Sequence, residues 1–92
     1  MVNQRLGLLA YPNSRLFKAD NQKAEFESNA SLDQVYAYFH NELARRNWLR
    51  TQLSFKNSAS KLQARYQRQN EQFELKLDQQ GKSNRYKLEI KF

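Results

Sequence analysis

At 92 residues the chain has room for one domain, 1–92, and one thin core, since a chain of this size buries only a little over about 60% of its unfolded surface. It contains no cysteine, which excludes disulfides and thiolate metal sites, and one histidine, His40, so no metal centre and no cofactor is expected. Sixteen Lys and Arg against nine acids give a formal charge of +7 and a pI near 9.9, a balance that favours solubility and weak attraction to nucleic acid or anionic surfaces.

The charge excess is spread along the chain, with four basic residues in 1–30, four in 31–60 and eight in 61–92, and with Glu71, Glu74, Asp78 and Glu89 interleaved among the last group. No basic tail or cluster stands out. The longest apolar run, Leu8 to Tyr11, is far short of the roughly 20 residues that cross a bilayer, and no apolar region of a leader follows Met1. The chain as it stands is expected in the cytoplasm, or outside it if an upstream signal has been removed.

In chain order, residues 1–13 carry Leu6, Leu8 and Leu9 and then Tyr11-Pro12-Asn13-Ser14, which reads as a turn before the first strand. Arg15 to Asp20 predicts a short strand with Phe17 on one face and Leu16 on the other, and Asp20-Asn21-Gln22 a turn. Lys23 to Glu27 alternates, with Ala24 and Phe26 pointing one way and Lys23, Glu25 and Glu27 the other, so 15–28 predicts a hairpin.

The stretch 31–46 predicts the helix. Leu32, Val35, Tyr36, Phe39 and Leu43 recur at spacings of three and four and make one apolar stripe. Ser31 is the expected N-cap, with Asp33 in the first turn and Gln34 completing a capping box. Arg45 and Arg46 suit the negative end, and Asn47 stands where a left-handed residue would stop the helix, leaving Trp48 to fold back over it.

Four stretches of period two follow. Leu49, Thr51, Leu53 and Phe55 alternate with Arg50, Gln52, Ser54 and Lys56; Leu62, Ala64 and Tyr66 with Lys61, Gln63, Arg65 and Gln67; Phe73, Leu75 and Leu77 with Gln72, Glu74, Lys76 and Asp78; Tyr86, Leu88, Ile90 and Phe92 with Arg85, Lys87, Glu89 and Lys91. Turns are expected at Asn57 to Ser60, Arg68 to Asn70 and Gln79 to Ser83. The fold class is therefore α+β, a two-layer sandwich of one helix on an antiparallel sheet in the order β-β-α-β-β-β-β.

The segments Tyr11-Pro12, Asn29-Ala30-Ser31-Leu32-Asp33-Gln34-Val35, Tyr36-Ala37-Tyr38-Phe39 and Leu43-Ala44-Arg45-Arg46-Asn47-Trp48 resemble a recurrent type of small bacterial domain. In it a helix of the type a-S-x-x-x-V-x-x-F-Y-x-x-x-L-x-x-x-G-W precedes a meander; Asn47 stands here in the place of its Gly, and Tyr38-Phe39 in that of its Phe-Tyr. The resemblance implies a fold and a frequent setting in envelope or lipoprotein contexts, and no activity. In outline the part from the second strand onward is also similar to cystatin-like and helix-grip domains.

Little in the chain has the shape of catalytic chemistry. His40 lies at the rim of the apolar stripe without a His or Glu at metal-binding spacing, the strand acids sit among cations on the open face, where cross-strand pairing accounts for them, and two glycines make no phosphate loop. The expected function is that of a non-enzymatic binding or accessory module for a protein partner. The sheet edge formed by the C-terminal strand, and the apolar Leu8, Leu9 and Tyr11, are its expected contact points, as a monomer or homodimer. The alternative is weak nucleic-acid or anionic-surface binding through Arg50, Lys61, Arg65, Lys76, Arg85, Lys87 and Lys91 on the open face. Against it, Phe55, Tyr66, Phe73, Tyr86 and Phe92 all have core parity, leaving no aromatics on which bases could stack.

Overall fold

The computed structural model describes residues 2–56, 60–80 and 84–92, so the turns expected around 57–59 and 81–83 lie outside the described residues. Among the described residues, helix α1 (Leu32–Arg45) packs on a six-stranded antiparallel sheet of β1 (Arg15–Ala19), β2 (Lys23–Glu27), β3 (Leu49–Lys56), β4 (Lys61–Arg68), β5 (Glu71–Gln79) and β6 (Arg85–Lys91). This is the α+β sandwich that the patterning predicts. No helix among these residues is long and apolar enough to cross a membrane.

The spatial order is β1-β2-β6-β5-β4-β3, which corrects the expectation that the C-terminal strand ends the sheet. The N-terminal hairpin docks on β6, and the edges are β1 and β3. The register explains why. On the helix side Ala24 meets Leu88 and Phe26 meets Tyr86; on the open side Lys23 faces Glu89, Glu25 faces Lys87 and Glu27 faces Arg85, so every charged cross-strand pair is of opposite sign.

The helix is specified at both ends. Ser31 Oγ accepts from the Gln34 amide while the Gln34 side chain accepts from the Ser31 amide, closing the capping box. At the other end the Asn47 amide donates to the Ala44 carbonyl and the Trp48 amide to the Leu43 carbonyl, with Asn47 at φ 69°, the two-bond stop of a left-handed cap. Trp48 is thereby turned onto Phe73, ring centroids 4.7 Å apart.

Leu32, Val35, Tyr36, Phe39 and Leu43 bury the predicted stripe against Phe26, Tyr66, Phe73, Leu75, Leu77, Tyr86, Leu88 and Ile90. The segment 2–8 seals one end of this core with Val2, Leu6 and Leu8. It is held by an Asn3–Leu8 bridge, by Asn3 Oδ1 accepting from the Leu6 amide, and by Arg46 Nη2 donating to the Gly7 carbonyl. Leu8 is fully buried, Tyr11 packs edge-on against Tyr38, and Leu9 alone of the three remains half exposed.

Two bulges break the period. One in β1 between Leu16 and Lys18 leaves Phe17 as an extra residue beside the open face, where the Arg85 guanidinium lies 4.2 Å from its ring centroid. The other, in β3 between Arg50 and Gln52, makes Thr51 the extra residue and reverses the parity of what precedes it. Leu49 therefore pairs with Gln67 on the open side, and Arg50 pairs with Tyr66 on the helix side.

Candidate functional site

The open face is built by register alone. Arg15, Lys18 and Lys23 from the hairpin, Arg85, Lys87 and Lys91 from β6, Lys76 from β5, Lys61 and Arg65 from β4 and Lys56 from β3 share it with Glu25, Glu27, Glu74, Asp78 and Glu89. Ten cations against five carboxylates place five of the seven net charges on this one face, a concentration that counting along the chain conceals. Six of the seven cations expected there are brought together: Lys61, Arg65, Lys76, Arg85, Lys87 and Lys91.

Its charges are largely neutralised near β5. Arg65 and Lys76 reach the Glu74 carboxylate at 3.5 and 3.6 Å, and Lys23 reaches Glu89 at 3.8 Å. A hydrogen bond from Gln63, with the two cations beside it, holds the Glu74 carboxyl below the usual carboxylate range. A shallow groove of about 390 Å³ runs between Lys18, Lys23, Lys76 and Lys87, with Glu25, Asp78 and Glu89 in its walls.

Arg50 is the exception among the expected cations. The bulge turns it to the helix side, where Nη1 donates to the Tyr36 hydroxyl at 3.2 Å. The Tyr36 and Tyr66 hydroxyls are 2.6 Å apart, and Tyr66 Oη lies 3.0 Å from His40 Nδ1. Guanidinium nitrogens only donate, so the arrangement that uses every proton runs Arg50 to Tyr36 to Tyr66 to His40, with Nδ1 accepting and the imidazole neutral. Burial, and secondarily the Arg50 charge, hold His40 below its usual pKa, in agreement with that direction. Burial pushes the Tyr66 phenol far upward, so it stays a donor.

His40 is half-buried at the rim of the stripe, as read, and the sequence reading leaves out its hydrogen bond to Tyr66 and the chain behind it. Tyr36 and His40 are four apart on the helix and Tyr66 has core parity, so a buried hydroxyl in need of a partner was the available signal. Nothing in the local pattern announces the bulge that supplies Arg50.

Of the two exposed edges of the sheet, β3 is the longer, eight residues against five in β1. It is hydrogen-bonded to β4 on one side only, and its helix-facing side chains reach the margin of the helix layer, so Leu53 is half-buried and Phe55 is 49% exposed despite its core parity. Leu49, on the other face, is 68% exposed. Phe92 is likewise 46% exposed, leaning on Phe73 and Trp48, whereas Tyr66, Phe73 and Tyr86 are buried as expected. The β3–β4 segment, 49–68, holds Arg50, Lys56, Lys61, Arg65 and Arg68 and no acid at all, a run of sequence that was legible from the start.

Comparison of the chain with family models, with curated proteins and with solved structures finds no match, so its reading rests on this geometry.

Proposed function

We propose that the domain is a non-enzymatic binding module that engages a protein partner by strand addition at β3. The observation that carries this reading is the state of that strand: eight residues long, at the sheet edge, with exposed apolar side chains on both faces. An edge strand presents a row of backbone donors and acceptors to any extended segment that reaches it. Its bulge shields only the first part, since pairing with β4 runs without a break from Gln52 to Lys56.

Selection of peptides from a random display library on the intact domain, followed by amide chemical-shift mapping, tests the proposal. Shifts centred on Gln52 to Lys56 are expected. Selected peptides that leave these amides unmoved would overturn strand addition.

A second reading has its own observation, the five net positive charges of the open face, and is weak binding of nucleic acid or an anionic surface. Phe17 is exposed beside this face, but guanidiniums already lie over its ring, Arg85 closest at 4.2 Å. Titration of a labelled oligonucleotide from about 50 to about 200 mM salt separates the two readings: affinity that falls steeply with salt belongs to the open face, and absence of binding at the lower salt removes this alternative.

A further inference from the structure

Granted strand addition at β3, we infer that the segment it accepts is an acidic amphipathic strand, alternating apolar residues with carboxylates. A strand laid about 4.8 Å beyond β3 continues both faces of the sheet. Its helix-side residues then meet Leu53 and the exposed ring of Phe55, which lack a full cover in the domain itself. Its open-side residues meet Gln52, Ser54 and Lys56, with Lys61 and Arg65 one strand behind.

That second flank decides the charge. On this flank segment 49–68 presents Lys56, Lys61 and Arg65 and no carboxylate, while Arg50 and Arg68 lie on the helix side. The carboxylates opposite Arg65 and Lys61, Glu74 and Asp78, both lie on β5 beyond β4, and on the β3 side Lys61 faces only the like charge of Lys56. Cross-strand carboxylates complement this flank, and cations on the incoming strand meet like charge. The same argument disfavours a second copy of the chain, because pairing β3 with β3 brings two acid-free cationic hairpins together.

The test uses the intact ¹⁵N-labelled domain and three capped octapeptides of alternating sequence: Glu/Val, Lys/Val and Glu/Ser. The Glu/Val peptide is expected to shift the amides of Gln52 to Lys56 and to bind about tenfold or more tighter than Lys/Val. Glu/Ser is expected to bind more weakly than Glu/Val, and Phe55→Ser to reduce the Glu/Val affinity to that level. Equal affinity for Glu/Val and Lys/Val overturns the acidic partner while leaving strand addition standing. No shift of β3 by any of the three peptides overturns strand addition and this inference together. Shifts confined to the open-face strands β5 and β6 are one form of that outcome and assign the binding to a diffuse anion surface instead.

Discussion

Arg50 and Tyr36 are joined across the two layers of the domain, the guanidinium of an edge-strand residue donating at 3.2 Å to a hydroxyl buried under the helix. This bond gives β3 a polar fixing point on the helix layer, since its apolar residues are at best half-buried. Replacing Arg50 by Met keeps the aliphatic stem and removes the charge and the donor. The expected loss is about 1 kcal/mol in urea unfolding. The more specific consequence is at His40: one of the two causes depressing its pKa disappears, so its NMR titration midpoint should rise. An unchanged midpoint would show that the Arg50 charge does not reach the imidazole.

Stability should decline as pH falls below the ordinary histidine value. His40 is held below 6.5 in the folded state, so in that window the unfolded chain binds a proton that the folded domain refuses. The contribution is present in full above about pH 6.5 and is lost progressively as the pH falls toward the folded-state value. Carboxylates held low, such as Glu42 beside Arg46 and Glu74, act in a lower range. Urea midpoints at pH 7.5 and pH 5.5 should therefore differ for the native sequence and converge for His40→Gln.

Leu49 separates the parity reading from the structure. With 68% of its surface exposed on the open side of the bulge, Leu49→Ala should change stability by no more than about 0.5 kcal/mol. The fully buried Leu75→Ala should cost about 2–5 kcal/mol. Thermal melts of the pair suffice, and equal losses would place Leu49 in the core after all.

At the helix stop, Asn47 has φ 69°, a conformation that costs a β-branched residue about 1 kcal/mol or more and glycine almost nothing. Asn47→Gly should raise the melting temperature and Asn47→Val lower it. Equal melting temperatures for the two would remove the left-handed cap as a determinant of where the helix ends.

The helix was legible in the sequence almost residue by residue, because Ser31, Gln34 and Asn47 act through neighbours three or four positions away. The strands were legible as strands for the same reason, their period being local. What escaped was what depends on partners chosen over long separations. That β2 docks on β6 follows from matching charge signs between segments about sixty residues apart, Lys23 against Glu89 among them. One inserted residue, Thr51, moved Arg50 from the open face to a part-buried hydrogen-bond chain on the helix side without altering the alternation that had placed it outside. The six expected open-face cations of β4, β5 and β6 needed no such information, since their strands pair without a shift.

The pairing of β2 with β6 also sets a condition on folding. The helix and the meander from β3 to β5 assemble from contacts between near neighbours in the chain, but the N-terminal hairpin has no place in the sheet until β6 has been made and has joined β5. During synthesis, β1 and β2 emerge first and wait longest. Such distant closure slows folding, and it leaves Ala24 and Phe26 uncovered for most of the time that the chain is being extended. The hairpin that completes the core is thus the part most in need of protection before there is a core to complete.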